Sequence, residues 1–129
     1  MSNPTAAMLV IGDEILSGRT RDANMHHLSG QLTQYGIDLK EVRVVSDDRP
    51  AIIAAVQTLS HSYDQVFTSG GIGPTHDDIT ADCIAAAFGA QIDVRADARA
   101  ILQAHYKVLY CALLLLNPEK HLYKYKECL

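Results

Sequence analysis

The sequence predicts an α/β protein whose mainly parallel sheet lies between two layers of helices. A continuous apolar run at 6–11, an imperfect alternation at 37–45 and a short stretch at 64–68 with apolar residues 66 and 67 predict strands, and each precedes a segment with helical periodicity. Strands that alternate with helices form parallel sheets with right-handed crossovers. The run at 6–11, Ala-Ala-Met-Leu-Val-Ile, has no polar position, as expected of a strand buried on both faces. We therefore expect a three-layer α/β/α sandwich.

Helices are expected at about residues 22–35, 49–61, 78–88 and from 97 to 106 onward. Gly36 and Gly89 are placed to end the first and third of them. Asp48 or Arg49 is placed to begin the second, and Pro50 suits its first turn. The apolar face of this second helix is predicted to consist of Ile52, Ile53, Val56 and Leu59.

Composition limits the classes of function. A chain of 129 residues, 48% hydrophobic and 20% charged, is expected to form one globular domain. Because the net charge is −4 and residues 1–106 contain no basic run, a nucleic-acid partner is not expected. The sequence shows no secretory signal and no apolar segment near the roughly 20 residues that cross a bilayer. Three cysteines without metal-like spacing favour a reduced, cytoplasmic setting, and the lack of a spanning segment predicts no membrane partner.

Residues 69–80, Ser-Gly-Gly-Ile-Gly-Pro-Thr-His-Asp-Asp-Ile-Thr, are the most informative segment. Gly70, Gly71 and Gly73 are expected to allow positive φ angles and to bring backbone amides close to a ligand. The start of the next helix adds N–H groups and partial positive charge, which suit a phosphate. The segment is neither a P-loop nor a GxGxxG fingerprint. A glycine-rich turn also needs no ligand, and Asp or Thr at a helix start is a common cap, so both interpretations stay open.

Carboxylates follow all three predicted strands. Ligands of open α/β sheets bind at the carboxyl ends of the strands, where loops 12–14, 46–48 and 69–78 are expected to meet. Taken singly, Asp48 is explained as a helix cap and Asp13 as support for a turn. Asp77 and Asp78 lie beside the expected phosphate site and suggest a divalent cation, because a bound cation would offset the repulsion between the carboxylates and the phosphate.

The composition changes abruptly after Tyr106. The last 23 residues hold four of the five lysines and two of the three cysteines, but no glycine and no aspartate. Val108–Leu116 is a run of nine apolar residues. The segment is either a C-terminal helix that packs on the core before a basic end, or a non-native terminus with an exposed apolar run. We predict a domain of residues 1–106 and an atypical tail of residues 107–129.

Four motifs together resemble one family. They are Ile-Gly-Asp-Glu-Ile-Leu-Ser-Gly at 11–18, Asp-Ala-Asn at 22–24, Val-Ser-Asp-Asp at 45–48 and the glycine-rich segment at 70–80. The chain resembles the molybdopterin-binding (MoaB/Mog-like) domain superfamily over about residues 6–106. The nearest branch is the N-terminal domain of competence/damage-inducible protein A (CinA-like), and the domain in front of eukaryotic FAD synthase is also similar.

The resemblance implies a three-layer α/β/α fold, a homo-oligomer (trimer or dimer), and a molybdopterin-type pterin or a nucleotide pyrophosphate at the loop edge. In cofactor-assembling members, the acids matching Asp47 and Asp78 serve adenylyl transfer with Mg-ATP. This chain has Ile72 and Asp77 where that loop has Thr and Arg, which favours the CinA-like branch. No further strand or second ligand loop is recognisable after residue 106, so an incomplete domain is expected.

Two functions stay open at this stage. The first is a binding module for a phosphate-bearing pterin or nucleotide. The alternative is a hydrolase, a metal-dependent nucleotide pyrophosphatase acting on ADP-ribose or FAD-like substrates. Asp47, Asp77 and Asp78 are then catalytic, and two or three of them hold Mg²⁺ or another divalent ion. The predicted ligand-binding residues are Gly12, Asp13, Glu14, Ser69, Gly70, Gly71, Gly73, Pro74, Thr75, His76 and Thr80.

Overall fold

The computed structural model describes residues 2–92 and 95–105. The chain divides into two compact units, 1–92 and 93–129. In the second unit, residues 96–105 are helical, and the Arg95 guanidinium pairs with the Asp97 carboxylate at 2.6 Å. The predicted tail of residues 107–129 lies outside the described residues.

The first unit carries the sheet. Its elements in chain order are β1 (Thr5–Ile11), α1 (Asp13–Leu16), α2 (Asn24–Gln34), β2 (Asp38–Val45), α3 (Arg49–Ser62), β3 (Gln65–Ser69) and α4 (Thr80–Ala87). The strand order is β2-β1-β3, and β1 is parallel to both neighbours. The predicted parallel α/β architecture is therefore confirmed.

β1 is the central strand of the sheet, and every side chain from Ala6 to Ile11 is buried. Successive side chains of a strand point to opposite faces of its sheet. Ala7, Leu9 and Ile11 accordingly share one core cluster with Ile52, Val56, Leu59 and Cys83 of α3 and α4. Leu32 of α2 is also buried but is not part of that cluster. α2 packs against β2 instead. An uninterrupted apolar strand thus corresponds to burial on both faces.

α3 shows why the sequence pattern predicts its helix well. The Asp48 side chain accepts a hydrogen bond from the Ala51 amide at 3.1 Å, and Pro50 lies in the first turn. Of the predicted apolar face, three residues are buried and Ile53 is partly buried. The cap, the proline and the apolar face all agree, so this prediction is confirmed.

Some local expectations were wrong. Residues 12–14 were predicted as a plain loop, but Asp13 and Glu14 form the first turn of α1. A helix of four residues is too short to show periodicity in a sequence. α4 begins at Thr80, two residues after the predicted start. The predicted helix ends are confirmed at Gly36 and Gly89, whose φ angles are +69° and +64°.

Replacing Gly30 by alanine is expected to stabilise the fold by about 0.5–1 kcal/mol, because glycine inside a helix costs that much relative to alanine. Gly30 lies in the middle of α2, and a Cβ added there meets no atom within 4 Å. Urea unfolding followed by circular dichroism measures the change. Gly89→Ala is the matched control, because its surroundings are equally open but its φ of +64° disfavours alanine. A less stable Gly30→Ala protein would contradict the assignment.

Candidate functional site

The loops that follow the three strands begin side by side. In the parallel registers Ile11 lies opposite Val45 and Val10 lies opposite Ser69. The Gly12 amide extends the ladder by donating to the Val45 carbonyl at 3.0 Å. The predicted convergence of these loops on one sheet edge is therefore confirmed.

Asp13 and Asp47 join the first two loops directly. The Asp13 amide donates to Asp47 Oδ2 at 2.9 Å, and the Asp47 amide donates to Asp13 Oδ1 at 3.3 Å. Each carboxylate thus satisfies the backbone of the other loop across 34 positions of sequence. The pair fixes the distance between the ends of β1 and β2.

Gly70 and Gly71 bring the third loop against the other two. Their φ angles are +97° and +61°, a region that side-chain-bearing residues rarely adopt. A Cβ on Gly70 would lie 1.9 Å from the Ile11 carbonyl oxygen. A Cβ on Gly71 would lie 2.3 Å from Thr80 Oγ1 and 3.7 Å from Asp47 Oδ1. The absence of side chains therefore allows the close approach of β1, the Asp47 loop and the start of α4.

Thr80 closes this turn from the helix side. Thr80 is only 2% exposed. Its hydroxyl donates a hydrogen bond to the Gly70 carbonyl at 2.8 Å, and its amide donates one to the Gly71 carbonyl at 3.1 Å. The hydroxyl predicted to assist a ligand thus holds the glycine turn, and a ligand contact by Thr80 stays a prediction.

Asp78 does not cap α4, whose first turn has no side-chain cap. Its Oδ2 accepts hydrogen bonds from the Thr75 amide at 2.8 Å and the Thr75 hydroxyl at 2.6 Å. The Thr75 hydroxyl, the Thr75 amide and the Gly73 amide hold the pKa of Asp78 below its usual value. The carboxylate therefore closes the segment between Gly73 and Asp78 into a tight loop.

The conformation of Gly73 differs from the one predicted, and its role in ligand binding stays a prediction. Its φ angle is not among the positive ones, so the prediction of a left-handed Gly73 was wrong. A Cβ at Gly73 would instead lie 2.6 Å from Asp78 Oδ2. Glycine is required there because the Asp78 carboxylate approaches the backbone closely.

The exposed tip of the loop contains Ile72, Pro74, His76 and Asp77. Ile72 is 80% exposed, and His76 Nε2 lies 3.1 Å from Asp77 Oδ1. Within residues 2–92 and 95–105, no group of three or more His, Cys, Asp or Glu side chains is arranged to hold a metal ion. The Asp47, Asp77 and Asp78 carboxylates each engage a different partner, and metal binding by two or three of them stays a prediction.

Two contacts at this edge could not be found from sequence patterns. The Asn24 side-chain amide donates to Ser69 Oγ at 2.6 Å, joining the start of α2 to the end of β3. The Glu14 carboxylate folds over Gly12, where a Cβ would lie 2.6 Å from Glu14 Oε2. Only the presence of Asn24 in the Asp-Ala-Asn motif pointed to the first contact.

The chain matches the family model described as "Probable molybdopterin binding domain" over residues 7–121. It belongs to the molybdopterin-binding domain family. The match continues past residue 106, where the sequence predicts the atypical tail to begin. None of the described helices is long and apolar enough to cross a membrane.

Curated relatives place the chain near the CinA-like branch. It is 40% identical over 92 residues to a "CinA-like protein" of Citrifermentans bemidjiense, covering 71% of this chain and 22% of that protein. It is also 51% identical over 88 residues to a "Probable FAD synthase" of Caenorhabditis elegans, covering 68% of this chain and 17% of that protein. The chain thus spans about a fifth of the length of these relatives.

Solved structures support the same fold. "The protein CinA with unknown function" from Thermoplasma acidophilum matches with a TM-score of 0.74 and 33% identity, covering 81% of this chain and 62% of that one. A structure of MogA matches with a TM-score of 0.58 and 26% identity, covering 64% of this chain and 54% of that one. The MoaB/Mog-like fold predicted from the sequence is therefore confirmed.

Lowering the pH is expected to open the Asp78 turn. The folded-state pKa of Asp78 lies below its ordinary value of 3.8 because Thr75 and Gly73 donate to it. The stabilisation is therefore fully present above pH 3.8 and is lost as the pH falls through the lowered pKa. An NMR titration of the Thr75 amide is expected to show a midpoint below 3.8 that Asp78→Asn abolishes. A midpoint at or above 3.8 would contradict the contact.

Proposed function

We propose that this chain binds a phosphate-bearing pterin or nucleotide at the edge formed by residues 12–14, 46–48 and 69–78. The observation that carries the proposal is the convergence of the three loops, with Gly71 beside Asp47 and the start of α4. Ligands of open α/β sheets bind at this edge, and a glycine turn before a helix suits phosphate oxygens. Membership of the molybdopterin-binding family supports a pterin as the small-molecule ligand.

The parts of the edge contribute differently to such binding. Gly70 and Gly71 let the turn pack against Ile11 and Thr80, which holds the glycine segment at the start of α4. The Asp13–Asp47 pair keeps the two neighbouring loops at a fixed separation. The exposed Ile72 offers an apolar surface for the heterocyclic ring. We therefore assign the phosphate to the glycine turn and the ring to the outer side of the loop.

A second candidate is metal-dependent hydrolysis of a nucleotide pyrophosphate such as ADP-ribose or FAD. The observation that favours it is the position of Asp47 Oδ1, which lies beside Gly71, where the phosphate is proposed to bind. Mg²⁺ is usually held by one or two carboxylates together with substrate phosphates rather than by a complete protein cage. Because the described residues contain no group of three or more ligands arranged for a metal, we propose Asp47 as a carboxylate ligand that acts together with the substrate phosphates.

Titration calorimetry on the full chain tests the binding function with molybdopterin, ADP-ribose, FAD and inorganic pyrophosphate. We expect saturable binding of at least one ring-bearing phosphate, tighter than that of pyrophosphate alone. No saturable binding of any of the four would overturn the proposal. Phosphate release from ADP-ribose and FAD, with and without Mg²⁺ and EDTA, tests the second candidate. Turnover that EDTA abolishes supports hydrolysis, and binding without turnover supports the binding module.

The other expectations from the sequence stay predictions. Sedimentation equilibrium tests the expected trimer or dimer. Fractionation of cells that express the chain tests the expected cytoplasmic location. Asp77 and His76 belong to the proposed loop surface, where their exposed side chains lie 3.1 Å apart. Their contribution to binding is measured by the same calorimetry on Asp77→Asn and His76→Gln.

A further inference from the structure

The contact between Asn24 and Ser69 crosses the binding edge. Asn24 begins α2, and Ser69 ends β3 where the glycine turn starts. The Asn24 Nδ2 group donates to Ser69 Oγ at 2.6 Å across 45 positions of sequence. The contact thus links a helix that takes no other part in the proposed site to the first residue of the glycine segment.

Asn24 is itself held in place. The Asp22 carboxylate accepts a hydrogen bond from the Met25 amide at 2.9 Å and from the Asn24 amide at 3.3 Å. These bonds fix the backbone at the start of α2, because the first amides of a helix lack partners within the helix. The Asn24 side chain therefore projects from a fixed position toward β3.

The direction of the hydrogen bond determines what Ser69 offers to a ligand. A serine hydroxyl has one donor proton and two acceptor lone pairs. Because Asn24 occupies a lone pair, the Ser69 proton remains available for another acceptor. Among residues 2–92 and 95–105, the structure records no hydrogen bond in which the Ser69 hydroxyl is the donor. The hydroxyl is thereby presented as a donor beside Gly70.

We infer that Asn24 is a positioning residue that orients the Ser69 hydroxyl to donate a hydrogen bond to a phosphate oxygen of the ligand. The inference rests on the proposed phosphate-binding function. Asn24 acts through Ser69 and does not itself contact the ligand. A hydrogen bond to a charged oxygen is stronger than one to a neutral group, so its loss is measurable as affinity.

Four variants of the full chain separate orientation from a structural tie: Asn24→Ala, Asn24→Asp, Ser69→Ala and the double variant Asn24→Ala/Ser69→Ala. Aspartate has nearly the shape of asparagine but only accepts, so the Ser69 proton turns toward residue 24 and away from the ligand. Calorimetry with ADP-ribose measures affinity, and thermal unfolding measures the integrity of the fold.

We expect Ser69→Ala to weaken ADP-ribose binding about tenfold and Asn24→Asp to weaken it at least as much. Asn24→Ala is expected to weaken binding less, and the double variant is expected to match Ser69→Ala, since Asn24 has nothing left to orient. Equal thermal midpoints among the four variants assign these losses to the ligand rather than to the fold.

Two results would overturn the inference. One is wild-type affinity in Ser69→Ala or in Asn24→Asp. The other is additivity in the double variant: Asn24→Ala would lower the affinity for ADP-ribose by the same factor whether or not the Ser69 hydroxyl is present. A purely structural contact predicts that result. These results leave the proposed function standing, because the wild-type chain still binds ADP-ribose. Absence of binding of all four ligands, molybdopterin, ADP-ribose, FAD and pyrophosphate, by the wild-type chain would remove both.

Discussion

Replacing Gly70 by alanine is expected to lower the free energy of unfolding by about 3 kcal/mol or more. The alanine Cβ would lie 1.9 Å from the Ile11 carbonyl oxygen, at a φ of +97° that disfavours any side chain. Ile11 cannot move aside, because β1 pairs with strands on both of its edges. Since domains are stable by only roughly 5–15 kcal/mol, this loss is a large fraction of the free energy of unfolding.

Urea unfolding followed by circular dichroism measures this loss. Gly36→Ala is the matched control, because Gly36 has a φ of +69° but no atom within 4 Å of an added Cβ. The control carries the backbone strain without the collision, and we expect it to lose only about 1 kcal/mol. Equal losses in the two variants would contradict the close approach of the glycine turn to β1.

Replacing Gly73 by valine is expected to weaken ligand binding at least tenfold without unfolding the protein. The new Cβ would lie 2.6 Å from Asp78 Oδ2, so the carboxylate must leave its bonds to Thr75. The segment between Gly73 and Asp78 then loses the shape that we propose the ligand requires. The segment is largely exposed, so the core keeps its packing.

Calorimetry with ADP-ribose and thermal unfolding measure the two effects of Gly73→Val separately. Gly30→Val is the matched control, since the same side chain is added at a position that is open and lies in α2. It is expected to bind ADP-ribose as the wild-type chain does. Full affinity in Gly73→Val would exclude this loop from the binding surface.

The parts of the fold that the sequence predicts are those encoded by neighbouring residues. β1 is recognisable because its apolar run is unbroken, and α3 because a cap, a proline and a periodic apolar face coincide. Gly36 was correctly placed as a helix end because its left-handed conformation favours glycine. Such features depend on a few adjacent positions, so no knowledge of the tertiary structure is needed.

The parts that the sequence does not predict depend on distant or ambiguous partners. The Asp13–Asp47 pair joins residues 34 positions apart, and either aspartate alone is explained by a local turn. Asp78 has the sequence context of a helix cap, yet its carboxylate binds backward to Thr75. The metal ligation expected of Asp47, Asp77 and Asp78 stays a prediction for the same reason, because a sequence shows where carboxylates occur but not which N–H and O–H groups they bind.

An NMR titration of the full chain with ADP-ribose tests the central claim most directly. If the three loops form one binding site, the backbone amides of residues 12–14, 46–48 and 69–78, other than Pro74, should shift together and saturate with a single dissociation constant. Shifts confined to another surface, such as the groove at Asn3, Ile37 and Lys40 between α2 and β2, would contradict the account, and so would the absence of saturable shifts with ADP-ribose, FAD, molybdopterin and pyrophosphate alike.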